Sequence, residues 1–212
     1  MIVSLSILNI AKEERYEKIK DFMQVENNWI HFDVMDGCFV ENKTFKYEVV
    51  EEINKYCDFF KDVHLMTYNP LKDLNEYKRA GADQITFHYE SVKKEEVVPI
   101  INKIKSLNMK VGISVKPSTD MKEIEEYLPF LDIVLVMSVE PGKGGQKFMD
   151  SSLEKIKWLN DRKINNHYLI SVDGGINNET SFSVKRAGAD VIVVGTYLTK
   201  GNINKNKIEE LM

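Results

Sequence analysis

The stretch Trp29-Ile30-His31-Phe32-Asp33-Val34-Met35-Asp36-Gly37 decides how the chain is read. Apolar and polar residues alternate along it, and a strand turns successive side chains to opposite faces. His31 and Asp33 therefore share a face, with Met35 and the Asp36-Gly37 turn beyond them. A lone His-x-Asp has a bland reading, a hydrogen-bonded core histidine beside a capping aspartate. Two further runs shift the balance. His64-Leu65-Met66 ends one apolar run and Val172-Asp173-Gly174-Gly175 ends another, so three strand ends offer His31, Asp33, His64 and Asp173. Two imidazoles and two carboxylates are a fitting ligand set for a divalent metal.

Outward from that stretch the same unit recurs, a short β-rich run followed by a charged segment with apolar residues at helical spacing. Strands are predicted near 2–8, 29–34, 60–65, 84–88, 110–115, 131–138, 168–172 and 191–195. Helices are predicted near 11–25, 45–56, 70–80, 94–107, 120–128, 151–163, 178–187 and 204–211. Strict alternation favours a parallel sheet with helices outside, and eight units favour closure into a single (β/α)8 TIM barrel spanning 1–212. No glycine fingerprint follows the first strand, which speaks against a dinucleotide fold. In such a barrel the site lies at the carboxyl ends of the strands, where Ser6, His31, Asp33, His64 and Asp173 all fall. His88 reads as a satisfied core or supporting group, and His167 as exposed.

Local signals mark the helix ends. Asn69-Pro70 reads as an N-cap with proline in the first turn, Ser151-x-x-Glu154 as a capping box, and Asp120-x-x-Glu123 as a weaker one. Lys-Arg-Ala-Gly-Ala-Asp occurs at 78–83 and again at 185–190, each time closing a helix and opening a strand. Either the two copies mark a half-barrel repeat or one local solution is used twice.

The run Pro141-Gly142-Lys143-Gly144-Gly145-Gln146 has more glycine than a chain reversal requires. Its amides, with those of Gly174-Gly175 and Gly195-Thr196, suit an anion, and barrel enzymes often hold phosphate at the loops after their last strands.

Composition narrows the remaining classes. A net charge of −4 over 212 residues gives no global attraction to nucleic acid or to an anionic membrane, and neither is expected as a partner. Cys38 and Cys57 are too few for a disulfide framework, and Met1 to Ile10 lacks a basic leader and a cleavage site, so a cytoplasmic protein is expected. The apolar run near 131–139 is far too short for a membrane helix. No interface pattern is visible, and a homo-oligomer stays open.

Taken together these segments resemble the D-ribulose-5-phosphate 3-epimerase family. The matching residues are Ser6-Ile7-Leu8, the run from His31 to Gly37, Val63-His64-Leu65-Met66, Val136 to Gly142, Gly144 to Phe148, and Val172 to Ile176, in the family's order across nearly the whole chain. The resemblance implies a metal-dependent isomerase that inverts C3 of a phosphorylated ketose, D-ribulose 5-phosphate to D-xylulose 5-phosphate. It implies that Asp33 and Asp173 move the protons while also ligating one divalent ion with His31 and His64, zinc first and iron, manganese or cobalt as alternatives. It places Ser6, His64 and Asp173 against the substrate, with Met35, Met66 and Met137 lining the site. The phosphate would rest among Gly142, Lys143, Gly144, Gly145, Gly174, Gly175, Gly195 and Thr196. Lys143 stands where the family usually carries Phe. Strands two and seven are expected on opposite sides of the barrel, so that the two aspartates flank the reacting carbon. The rival readings are a ketohexose-phosphate 3-epimerase, as for D-allulose 6-phosphate, and a non-catalytic phosphosugar-binding barrel.

Overall fold

The computed structural model describes residues 1–163 and 167–212. Eight parallel strands close into a barrel in chain order: β1 (Ile2–Ser6), β2 (Trp29–Met35), β3 (Phe60–Met66), β4 (Gln84–His88), β5 (Lys110–Val115), β6 (Ile133–Met137), β7 (Leu169–Asp173) and β8 (Val191–Val194), with β8 returning to β1. The crossovers carry α1 (Arg15–Phe22), α2 (Tyr47–Asn54), α3 (Leu74–Ala80), α4 (Lys94–Ser106), a 3-10 helix at Met121–Phe130, α5 (Ser152–Arg162) and α6 (Asn178–Ala187). The short α7 (Thr196–Thr199) and α8 (Lys205–Glu209) follow β8. The expected TIM barrel is thus the observed one. No helix among the described residues is long and apolar enough to cross a membrane.

Alternation along each strand sorts the residues into two environments. Outward-facing Val3, Leu5, Ile30, Phe32, Val63, Leu65, Ile85, Phe87, Val111, Ile113, Val134, Val136, Ile170, Val172, Ile192 and Val194 join the helices in one apolar layer. Each such side chain contributes about 1.5–3 kcal/mol on burial, so this layer supplies most of the driving force for folding. The inward set is different. Trp29, Ile133 and Val191 plug the amino-terminal end, backed by Ile2, Phe60 and Leu169. Above the plug the lumen holds Ser4, His31, Asp62, Gln84, Thr86, Ser114 and Ser171, all buried. A polar lumen costs stability unless its groups are bonded, and its presence under the strand ends points to function there.

A device at the bottom rim repeats every second strand. The residue just before an even-numbered strand accepts a backbone N–H at the start of the strand before it: Asn28 from Val3, Asp83 from Lys61, Asp132 from Val111 and Asp190 from Ile170, at 2.7–3.1 Å. Both copies of Lys-Arg-Ala-Gly-Ala-Asp serve it, and their glycines end α3 and α6 at φ +96° and +112°. Since Asn28 and Asp132 do the same job outside that hexapeptide, the repeat is one local solution reused.

Three helix-end expectations need correction. Asn69-Pro70 opens a turn, closed by Lys72 N–H to the Asn69 carbonyl at 3.1 Å, and α3 starts only after Asp73, whose φ of +62° breaks the run. Ser151 precedes α5 but caps nothing with its side chain, and Glu154 pairs with Lys157 at 2.9 Å instead. The segment predicted as a helix near 120–128 is 3-10, with Asp120 accepting from Lys122 N–H at 3.0 Å. Its buried Met121, Ile124 and Tyr127 recur every third residue, the 3-10 period, and Pro129 withholds an N–H from its end.

Candidate metal and substrate site

Register puts the chemistry at one level of the barrel. Asp33 pairs across the sheet with His64, and His31 with Asp62, so neighbouring strands present neighbouring ligands to the lumen. One donor atom from each of His31, Asp33, His64 and Asp173 lies within 4.8 Å of the other three. Asp33 Oδ1 is 3.3 Å from both His31 Nε2 and His64 Nδ1, and Asp173 Oδ2 is 3.9 Å from the same two nitrogens.

The partners behind these groups fix which atoms face the cluster. His31 Nδ1 lies 2.7 Å from Asp62 Oδ2, and Asp62 Oδ1 accepts from Gln84 Nε2 at 2.7 Å. A carboxylate only accepts, so Nδ1 of His31 carries a hydrogen, and when the ring is neutral its Nε2 presents a lone pair to Asp33. That Nε2 is fully buried and has no hydrogen-bond partner. A buried lone pair facing a carboxylate oxygen is unfavourable unless positive charge lies between them. The donor set therefore fits a divalent cation, with neutral imidazole nitrogens and carboxylate oxygens of the types that bind zinc, iron, manganese or cobalt.

The protein's own charges drive the titration of these groups apart. Burial and the nearby Asp33 charge push the Asp173 carboxyl up to about 7. Burial would raise Asp33 too, but the neighbouring His31 charge, with His64 beside it, outweighs it and holds Asp33 well below the usual carboxylate range. Burial works against a charged His31, yet Asp33 and Asp62 together raise it well above an ordinary histidine. Burial dominates at His64 and lowers it. One aspartate is thus held ionised while the other can carry a proton near neutrality, the divergence expected of an acid and a base sharing a site.

A cavity of about 280 Å³ opens above the cluster. It is lined by Ser6, Asp33, Met35, Met66, Met137, Asp173 and all the expected loop residues, namely Gly142, Lys143, Gly144, Gly145, Gly174, Gly175, Gly195 and Thr196. His31 and His64 lie beneath it, both fully buried. Ser6 spends its hydroxyl hydrogen on Asp33 Oδ2 at 2.8 Å, so it orients that carboxylate as well as facing the cavity. Close approach requires glycine at 174 and 175. A Cβ on Gly175, at φ +64°, would stand 2.4 Å from the Phe148 backbone nitrogen. Lys143 is exposed on the rim.

Around the ring β2 and β7 are three strands apart, counted through β1 and β8, rather than diametrically opposed. Asp33 and Asp173 thus converge obliquely on the cavity floor. Sequence reading passed over Asn9, Asn177 and Tyr197, which also line the cavity. Asn9 Nδ2 donates to Thr196 Oγ1 at 3.1 Å and ties the loop after β1 to the one after β8. It also passed over Asp62, although Asp62-x-His64 has the same i, i+2 relation as His31-x-Asp33. His88, read as a supporting group, has its Nε2 2.9 Å from His64 Nε2 and its Nδ1 3.0 Å from Glu90 Oε2. His167 is exposed, as read.

The fold resembles that of a solved 3-hexulose-6-phosphate synthase, with a TM-score of 0.73, 18% identity, and coverage of 100% of this chain and 98% of the other. Nearer in sequence is a ribulose-phosphate 3-epimerase of Aquifex aeolicus, 43% identical over 79% of this chain and 75% of its own length. One of Bacillus subtilis is 38% identical over 99% of this chain and 97% of its own. The model of the ribulose-phosphate 3 epimerase family matches residues 2–199, and the chain belongs to that family.

Proposed function

We propose that the protein is a metal-dependent isomerase that inverts C3 of a ketopentose phosphate, interconverting D-ribulose 5-phosphate and D-xylulose 5-phosphate. The observation that carries this is the placement of His31, Asp33, His64 and Asp173 at the floor of a cavity whose wall is the glycine loops. The relatives named above bear that activity in their names.

The proton at C3 lies beside the C2 carbonyl, so its removal leaves a planar enediolate, and return of a proton to the other face completes inversion. Two acid/base groups are needed, and Asp33 and Asp173 fill the roles. The ionised one takes the C3 proton while the protonated one delivers its own, and the roles exchange in the reverse direction. A divalent ion, zinc first, held by His31, Asp33, His64 and Asp173 would polarise the carbonyl and offset the developing negative charge. Ser6 orients the Asp33 carboxylate, and buried Met35, Met66 and Met137 keep water from the reacting carbons. The phosphate lies among Gly142 to Gly145, Gly174, Gly175, Gly195 and Thr196, where exposed backbone amides receive it.

Turnover with D-ribulose 5-phosphate and with D-allulose 6-phosphate tests the assignment. We expect the pentulose phosphate to be epimerised, activity to be lost on chelation, and zinc, manganese, iron or cobalt to restore it. Full activity in protein shown to lack metal would overturn the reading, as would conversion of the hexulose phosphate alone.

A further inference from the structure

The two histidines of the cluster are backed differently. His31 rests directly on the Asp62 carboxylate, whereas behind His64 stands a second imidazole, His88, and only then a carboxylate, Glu90. His88 is fully buried under the ring of Phe39, centroid to centroid 4.8 Å. Glu90 comes from the turn after β4 and is closed in by the loop after β5. Its Oε1 accepts from Lys116 N–H at 2.7 Å and from the Thr119 hydroxyl, while Oε2 faces His88. The carbonyls of Lys116 and Thr119 are in turn held by Lys155 Nζ, at 2.8 and 2.5 Å.

With both imidazoles neutral, such a chain has one consistent set of hydrogens. Glu90 is only an acceptor, so His88 Nδ1 must be its donor, and the Nε2 of a neutral His88 is left with a lone pair. His64 Nε2, 2.9 Å away, must then carry a hydrogen, and His64 Nδ1 is left with its lone pair toward Asp33 and Asp173. We propose that Glu90 and His88 are positioning residues that dictate the tautomer of His64 and thereby set the affinity of the site for a divalent cation. This rests on the metal reading of the cluster. His88 is one hydrogen bond from the ligand, a place from which partners typically govern metal affinity by about 10- to 100-fold, and Glu90 acts through it.

Glu90→Gln makes the idea sharp because it preserves shape while exchanging an acceptor for a donor. An amide N–H₂ facing His88 Nδ1 makes that nitrogen the acceptor and moves the His88 hydrogen to Nε2. His64 Nε2 must then accept, and its own hydrogen goes to Nδ1, where it blocks a cation. Thr119→Val provides the contrast, since it loosens the same loop without reversing any donor.

The experiment is a zinc titration against a competing chelator, with the melting temperature of each variant measured alongside. We expect Glu90→Gln and His88→Phe to weaken zinc binding by at least about tenfold, with Glu90→Asp recovering part of the loss and Thr119→Val changing it less than threefold. If His88→Phe fails to fold, Glu90→Gln decides alone. Zinc affinity unchanged in Glu90→Gln would overturn the proposal while leaving the metal site standing. An equal loss in Thr119→Val would overturn it in favour of a loop effect. Failure of the unaltered protein to bind one zinc would remove the site and the relay together.

Discussion

The mouth of the barrel has two unlike halves. On the β2 to β4 side, charged and aromatic donors are held by buried side-chain bonds: His31 by Asp62, Asp62 by Gln84, Asp33 by Ser6, His64 by His88. On the β6 to β8 side Asp173 is the one acid in the cluster, and glycine-dense loops form much of the wall above it. The contrast follows from what each half would hold. A cation needs lone pairs fixed in direction, which costs buried polar groups and the partners that satisfy them. A phosphate needs several N–H groups to converge, which requires removing side chains. On the proposed mechanism neither half works alone, because the reacting carbon would lie between the two aspartates contributed by both.

The largest effect should come from breaking that shared point. Asp33→Asn or Asp173→Asn should lower kcat by at least about three orders of magnitude, with the double variant little worse than either single one, as for residues that act as a unit. Metal content must be followed in each variant, since a lost ligand imitates a lost base. An Asn variant that kept its metal and most of its epimerase rate would show that one aspartate suffices.

A glycine probes the other half. Gly175→Ala forces a side chain into the left-handed region and onto the Phe148 backbone, a strain of about 1–3 kcal/mol. The loop must shift, and the phosphate site with it, so we expect KM to rise by about 10- to 100-fold while zinc affinity stays near its original value. Loss of zinc binding in this variant would mean that the two halves are not independent.

How far these halves could be read beforehand differs for physical reasons. His31, Asp33, His64 and Asp173 were legible because a strand's period of two converts spacing into direction, and the glycine loops because their density exceeds what turns require. Asp62 carried the same signal but sits beside Lys61, so the pair reads as the wet start of a strand; the structure buries both. The Glu90 link to Lys116 and Thr119 joins loops 26 and 29 residues apart, and no local pattern encodes it. The 3-10 helix was missed for a subtler reason. Met121, Ile124, Tyr127 and Leu128 satisfy both helical periods until Pro129 is weighed. Angular separation was misjudged as well, since β2 and β7 stand three strands apart around the ring.

Acidity offers a smaller perturbation of the cation half. Asp173 is pushed up to about 7 by burial and by Asp33, and His31 is raised by Asp33 and Asp62 against its burial. Both gain protons as pH falls, and a cation must displace those protons to bind. Affinity for zinc should therefore rise with pH through neutrality, by about tenfold per pH unit for each proton displaced. Proton release measured by calorimetry in buffers of different ionisation enthalpy reads the same quantity. A flat affinity between pH 5.5 and 7.5 would place the cation away from Asp173.

The smallest effect concerns a cation on the glycine half's loop, Lys143. Lys143 is exposed and lines the same cavity as Gly144, Gly145 and Thr196, while its backbone carbonyl accepts from Gln146 Nε2 at 2.9 Å, so the loop's shape does not depend on its side chain. An exposed lysine meets a phosphate as a hydrated point charge, and such pairs contribute about 0–1 kcal/mol. Lys143→Ala should accordingly raise KM about two- to fivefold with kcat nearly unchanged, because the phosphate is bound equally in the ground and transition states. The effect should shrink as ionic strength rises, since screening acts on exposed charges over a Debye length of about 8 Å at physiological salt. Two results would revise this. Unchanged KM at low salt would leave the amides as the whole phosphate site. A fall in kcat equal to the rise in KM would mean that Lys143 reaches past the phosphate toward the reacting carbons, and would join the two halves of the mouth more closely than their architecture suggests.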